Sequence, residues 1–180
     1  LNDTVRHVTA RGVDEAVAAL YAELEKRRGN ESGEFEQVFL VVHGLHRFRS
    51  LRKAEDDYGF SGGEDKVVKP DKQLQEILRE GPTLGIHTIA WSDNVANLER
   101  AIDRRGVKEF DLRVLFQMSG GDSSSLIDSP HAQHLGQNRA LLYSEESGTF
   151  EKFRPYAPPD SATLDRLLRL GDWRQRYTGA

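Results

Sequence analysis

Apolar residues follow two spacings along the chain. From Val13 to Arg28 they recur at helical intervals, with Val13, Ala16, Val17, Leu20 and Leu24 on one stripe. Asp14 and Glu15 open that stretch, and Lys26, Arg27 and Arg28 close it before Gly29, an order that suits the helix dipole. A helix over 13–28 is predicted. Before it, Thr4 to Thr9 alternates and predicts a short strand ended by Gly12. Val38 to Val42 are five consecutive apolar residues, which predicts a strand apolar on both faces, as central strands of a parallel sheet are. Such strands deliver functional residues at their carboxyl ends, where this chain has His43 and Gly44.

The remaining pattern alternates in the same way. Leu45, Phe48 and Leu51 predict a short helix carrying Arg47, Arg49, Arg52 and Lys53. Glu55 to Lys69 is polar and aperiodic, and predicts a long mobile loop. Pro70 and Asp71 start a helix with Leu74, Ile77 and Leu78 on one face, stopped by Gly81-Pro82. Gly85 to Trp91 predicts a buried strand, with Trp91 in the core. Ser92, Asp93 or Asn94 then caps a helix whose Val95, Leu98 and Ile102 face inward, ending at Gly106. Phe110 to Met118 predicts another strand, and Gly120 to Ser125 a polar turn into a short helical piece before Pro130. Arg139 to Tyr143 and Thr149 to Phe153 pair as a hairpin around Glu146-Ser147-Gly148, and Ser161 to Leu170 forms a last amphipathic helix. Strands alternating with helices predict an α/β fold: a three-layer sandwich with a mostly parallel sheet, one domain over 1–180.

Composition changes this picture little. A chain of 180 residues can bury roughly 70% of its unfolded surface in one core. Its net charge of -4 argues against a tight, unspecific nucleic-acid binder in isolation. With no cysteine, disulfides and thiolate metal sites are excluded. No apolar run reaches the ~20 residues that span a bilayer, so a cytoplasmic chain without a membrane segment is expected. Leu1 stands where an initiator Met is usual, which suggests a fragment of something longer or a processed chain.

Four blocks in order carry a family resemblance over Gln37 to Pro159. They are the strand at Val38; Leu78 to Ser92 (L-R-E-G-P-T-L-G-I-H-T-I-A-W-S); Leu112 to Asp128 (L-R-V-L-F-Q-M-S-G-G-D-S-S-S-L-I-D); and Leu135-Gly136 to Tyr143. Together they resemble the motor domain of the FtsK/SpoIIIE family, in the FtsK–HerA group of P-loop ATPases. The third block is similar to that family's R-I-A-F-x-V-S-S-x-x-D-S-R-T-I-L-D. The resemblance implies the C-terminal portion of a RecA-like P-loop NTPase fold, a larger oligomeric ATPase as context, and DNA as a partner.

The departures from the family pattern are chemical. No Gly-x-x-x-x-Gly-Lys-Ser/Thr loop is present to cradle phosphates; Ser61-Gly62-Gly63 lacks the Lys-Ser/Thr. The resemblance places His43 and Gly44 at the two acidic Walker B positions, where an Asp near magnesium and a water-activating Glu are needed. The sensor Gln falls at Ser92, and the Arg of D-S-R-T at Ser124, while Arg113 matches the Arg opening the third block. Ser92, Arg113, Asp122 and Ser123 are the positions the resemblance offers for nucleotide or subunit contacts. ATP and magnesium are expected only with a P-loop upstream of residue 1, and no hydrolysis is expected from this chain alone. In the family the P-loop strand runs between the sensor strand and the strand at Phe110 to Met118. Without it, an unusual sheet order or an oligomer is expected.

Other chemistries fit less well. His43-x-x-His46 and His131-x-x-His134 each put two imidazoles on one helical face, but neither has an evident third ligand, so surface or packing histidines are expected. Gly121-Asp122-Ser123 and Asp128-x-x-His131 resemble blocks of a lipase-like hydrolase family, yet they nearly abut here, and no Gly-x-Ser-x-Gly elbow exists. A helix-capping turn explains Asp122 to Ser125. Arg47, Arg49, Arg52 and Lys53 are the candidate DNA contacts, balanced by Glu55, Asp56 and Asp57 nearby. The sequence therefore suggests a catalytically degenerate FtsK/SpoIIIE-like module acting in interaction or ring assembly. The alternative is the C-terminal part of an active DNA-translocating ATPase, and a DNA-binding module without ATP is a third class.

Overall fold

In the computed structural model, residues 5–30, 33–53, 68–167 and 169 are described. The first helix, α1 (Val13–Arg28), has its acids in the first turn and its bases in the last, as the dipole favours. Helix α2 (Pro70–Glu80) begins with proline, whose fixed φ and missing N–H suit a first helical position. Its Leu74, Ile77 and Leu78 are buried. The two helices pack together, and Arg28 reaches across to Glu76 and Glu80 at 2.9 and 2.7 Å. Arg27 is buried beneath them, where its Nη1 donates to the Leu84 carbonyl at 2.8 Å.

Strands β1 (Val38–His43) and β2 (Ile86–Trp91) form a parallel pair in full register, from Val38 beside Ile86 to His43 beside Trp91. Val38, Leu40, Val42, Ile86 and Ala90 pack into one cluster with Val17, Leu24 and the buried residues of α2. The alternate residues of the pair point the other way. Short helices α3 (Val95–Glu99) and α4 (Arg104–Lys108) follow, and β3 (Leu112–Leu115) leads to α5 (Gly120–Ile127). The hairpin of β4 (Ala140–Ser144) and β5 (Thr149–Phe153) joins β3 in a three-stranded antiparallel sheet, order β3-β4-β5. A second cluster, including Leu115, Ile127, Leu135 and Tyr143, fills its inner side, and Leu126 touches both clusters. A helical segment at 161–167 lies beyond the hairpin.

The α/β class with a parallel pair flanked by helices is as the pattern implies. Among the described residues no strand lies between β2 and β3, and the sheet is in two pieces. Several local expectations need correction. Residues 5–9 have no ladder partner among the described residues and are irregular, running into a 3-10 turn at Ala10–Gly12. The segment after β1 is two 3-10 turns, Leu45–Arg47 and Arg49–Leu51, because extended backbone at Phe48 separates them. The helix expected from Val95 to Gly106 is broken: Asp103 accepts from the Gly106 N–H at 2.7 Å and so caps a new helix. The cap of α5 is Ser119, which accepts from Asp122 N–H. Strand β3 is shorter than the strand expected over 110–118, since among the described residues it pairs with β4 alone. The loop expected at 55–69 falls, up to residue 67, outside the described residues.

Candidate functional site

The carboxyl ends of β1 and β2 bring together His43, Trp91, His46 and Asp93. Because His43 and Trp91 are the last residues of strands in register, their side chains leave the same face side by side. Their rings stack at 4.8 Å between centroids and 9° between planes. His46 meets the Trp91 edge at 6.3 Å, and its Nδ1 lies 3.1 Å from Asp93 Oδ1. That approach lacks hydrogen-bond geometry and is an ion pair only when His46 is protonated. Asp93 accepts from the Asn97 amide at 2.9 and 3.2 Å; that bond first, and His46 after it, hold its carboxyl below the usual range.

Between His43 and His46 the chain turns through Gly44 in the left-handed region, φ 77°. A side chain there would be strained, and its Cβ would lie 2.8 Å from Arg47 Cδ. Ser92, the sensor position of the resemblance, donates to the Asn94 carbonyl at 3.1 Å, beside the Asn94 cap of α3. Arg47, Arg49 and Lys53 are exposed and form no salt bridge among the described residues. Arg52 is half-buried and donates to the His46 carbonyl at 3.0 Å, so it braces the turn.

Arg113 is far from solvent. Its Nε donates to the Val107 carbonyl at 3.1 Å, Nη1 donates to the Leu126 carbonyl at 2.8 Å, and Nη1 also lies 2.7 Å from Glu145. Its guanidinium sits over the Tyr143 ring at 5.4 Å. Burial, and after it the Glu145 charge, pushes the Tyr143 hydroxyl's pKa up. Nη2 has no hydrogen-bond partner among the described residues. Asp122 is exposed in the first turn of α5, whereas Ser123 is fully buried. The Ser123 hydroxyl donates to the Ser129 carbonyl at 2.5 Å and accepts from Ala132 N–H at 3.1 Å. Such a hydroxyl ties α5 to the following turn and is no nucleophile.

A cavity of about 430 Å³ separates the two sheets, lined from one side by Ala90 to Asn94 and from the other by Leu112 to Met118. It is the place where the strand order is interrupted.

The fold has solved counterparts. The genome-packaging NTPase B204 of Sulfolobus turreted icosahedral virus 2, in its complex with AMPPCP, matches at 14% identity and TM-score 0.51, covering 84% of this chain and 73% of that one. Its complex with ATP-gammaS matches at 12% identity and TM-score 0.52, covering 85% and 74%. The fold is P-loop NTPase-like. No family model and no curated protein sequence matches the chain.

Within this P-loop NTPase-like frame the carboxyl end of β1 has an imidazole and a glycine, and the nearby Asp93 is committed to His46 and Asn97. Magnesium asks for oxygen ligands in near-octahedral array. Among the described residues no three His, Asp or Glu side chains gather in a way that could hold a metal ion. The donors at this end of the sheet do not fit that ion. Of the two histidine pairs, His43 stacks on Trp91 and His131 on Phe150.

Two features escaped the sequence reading. The uncovered face of β1–β2 did, because an unbroken apolar run looks the same whether one face or both are covered. Trp91 is half exposed on that face and is not core. The His43–Trp91 stack was also missed, although two six-residue strands ending in His and Trp carried its signal. No helix of the described residues is long and apolar enough to cross a membrane.

Proposed function

We propose that the chain is a catalytically degenerate FtsK/SpoIIIE-like module of a larger ATPase, working in interaction or ring assembly. The observation that carries this is the carboxyl end of β1. In a P-loop NTPase-like frame that end is where a magnesium-binding Asp and a water-activating Glu are needed. Here His43 is stacked on Trp91, and Gly44 occupies a left-handed conformation that a Glu adopts only with strain. The frame is therefore adapted to its present residues. Ser92 and Arg113 are likewise held by neighbours, which supports this reading, while Asp122 is exposed. What stays available is surface: the exposed Arg47, Arg49 and Lys53, and the open apolar side of the strands.

The test is phosphate release from magnesium-ATP by the purified chain, with and without duplex DNA. Release at the buffer background in both conditions is expected. Turnover that disappears on changing His43 or Arg113 would overturn the reading.

A further inference from the structure

From β5 the chain runs into the helical segment at 161–167 through Arg-Pro-Tyr-Ala-Pro-Pro, residues 154–159. Proline fixes φ at about -65°, has no N–H, and drives the residue before it into extended backbone. Pro155, Pro158 and Pro159 are fixed in this way, and Arg154, Ala157 and Pro158 each precede a proline. Constraints so closely spaced select polyproline II backbone, which has about three residues per turn and no internal hydrogen bonds. Residues 154–160 are accordingly neither helix nor strand. Pro155 to Pro159 make no hydrogen bond or ion pair among the described residues.

Both ends of this segment are held. Phe153 closes the β4–β5 ladder beside Ala140, and Asp160 caps the helical segment by accepting from Thr163 N–H at 2.8 Å. Between them Pro155 is half-buried, whereas Tyr156 to Pro159 are exposed, Tyr156 to 100%. At about three residues per turn, Tyr156 and Pro159 share one edge, with Pro158 beside them. A tyrosine ring on backbone already ordered can be buried at little further cost in conformational entropy. Nearer the sheet, Lys152 and Arg154 are exposed and join no salt bridge among the described residues.

We propose that residues 154–159 are a docking ligand for a partner protein whose groove is lined with aromatic rings and flanked by acidic side chains. The rings receive Tyr156, Pro158 and Pro159, donors on the groove bond the free carbonyls, and the acids pair with Lys152 and Arg154. A spacer between sheet and helix has use for the prolines but none for a tyrosine that touches nothing. A phosphate backbone could pair with the two cations, but it offers neither donors for the carbonyls nor a groove for the proline rings. The inference goes beyond the degenerate reading and is independent of it, because a hydrolysing chain would present the same segment.

The test titrates the isotope-labelled 180-residue chain with purified SH3-type and WW-type domains, whose aromatic grooves read polyproline II ligands. Within 155–159 only positions 156 and 157 have amide protons, so their magnetic resonance signals report the segment. The expected result is saturable movement of both signals with at least one probe, reversed by a competing oligoproline peptide. Tyr156→Ala should weaken that binding about tenfold or more, with the melting temperature unchanged because the ring is free of contacts. No movement with any probe would overturn the proposal. So would movement that survives both Tyr156→Ala and the competing peptide.

Discussion

Replacing Arg113 with alanine is expected to lower stability by about 3 kcal/mol, seen as a fall in the urea midpoint with unchanged slope. Two carbonyls, one buried on Val107 and one part-buried on Leu126, lose a charged donor, and each unsatisfied buried group costs about 1–3 kcal/mol. Glu145 is a third exposed and can turn to water, so its lost ion pair contributes less than a fully buried pair would. The stacking on Tyr143 is lost as well. Lysine at this position should recover only part of the loss, since a single ammonium cannot reproduce the planar fork that reaches α4, α5 and the hairpin turn together. An unchanged midpoint would show that Arg113 does not hold these elements.

Gly81→Ala is expected to destabilise by about 2–3 kcal/mol, although alanine is the better helix former. The backbone at Gly81 is right-handed, φ -52°, so conformational strain is not the reason. A Cβ would lie 2.3 Å from the Ile77 carbonyl and 2.6 Å from the Ile86 carbonyl. Both are backbone atoms, fixed by the bonds from Gly81 N–H to Ile77 and from Ile86 N–H to Gly81 at 2.9 and 2.8 Å. Relief requires opening the junction of α2 and β2, where Ile77 and Ile86 are fully buried. For a chain of this size that is a fall in melting temperature of about 5–10 °C. An unchanged or raised melting temperature would show that the junction is looser than described.

These two residues show what the sequence could and could not reveal. Gly81 was legible as a helix stop, since Gly-Pro after a periodic stretch says as much. Its close approach to β2 was not, because which strand returns past a helix end is a tertiary fact. Arg113 aligned with a family position, and nothing local distinguishes an arginine that reaches a nucleotide from one that clamps three elements. Helices 13–28 and 70–80 were legible because their stripes coincide with the faces they bury, with the right residues at the ends. The hairpin was legible from its turn. The run 38–42 was legible as a strand but not as a half-covered one. The break at Asp103 was hidden because the apolar spacing of Val95, Leu98 and Ile102 continues smoothly to the residue before it.

The sheet carries the functional account. Its order breaks where Ala90 to Asn94 face Leu112 to Met118, and its first strand ends on imidazole and glycine. Both observations support the proposed reading, in which this chain depends on others for nucleotide chemistry. Equilibrium titration of the purified chain with magnesium-ATP tests that dependence most directly. The account predicts no saturable binding up to millimolar nucleotide; saturable, magnesium-dependent binding that is lost when His43 is replaced would contradict it.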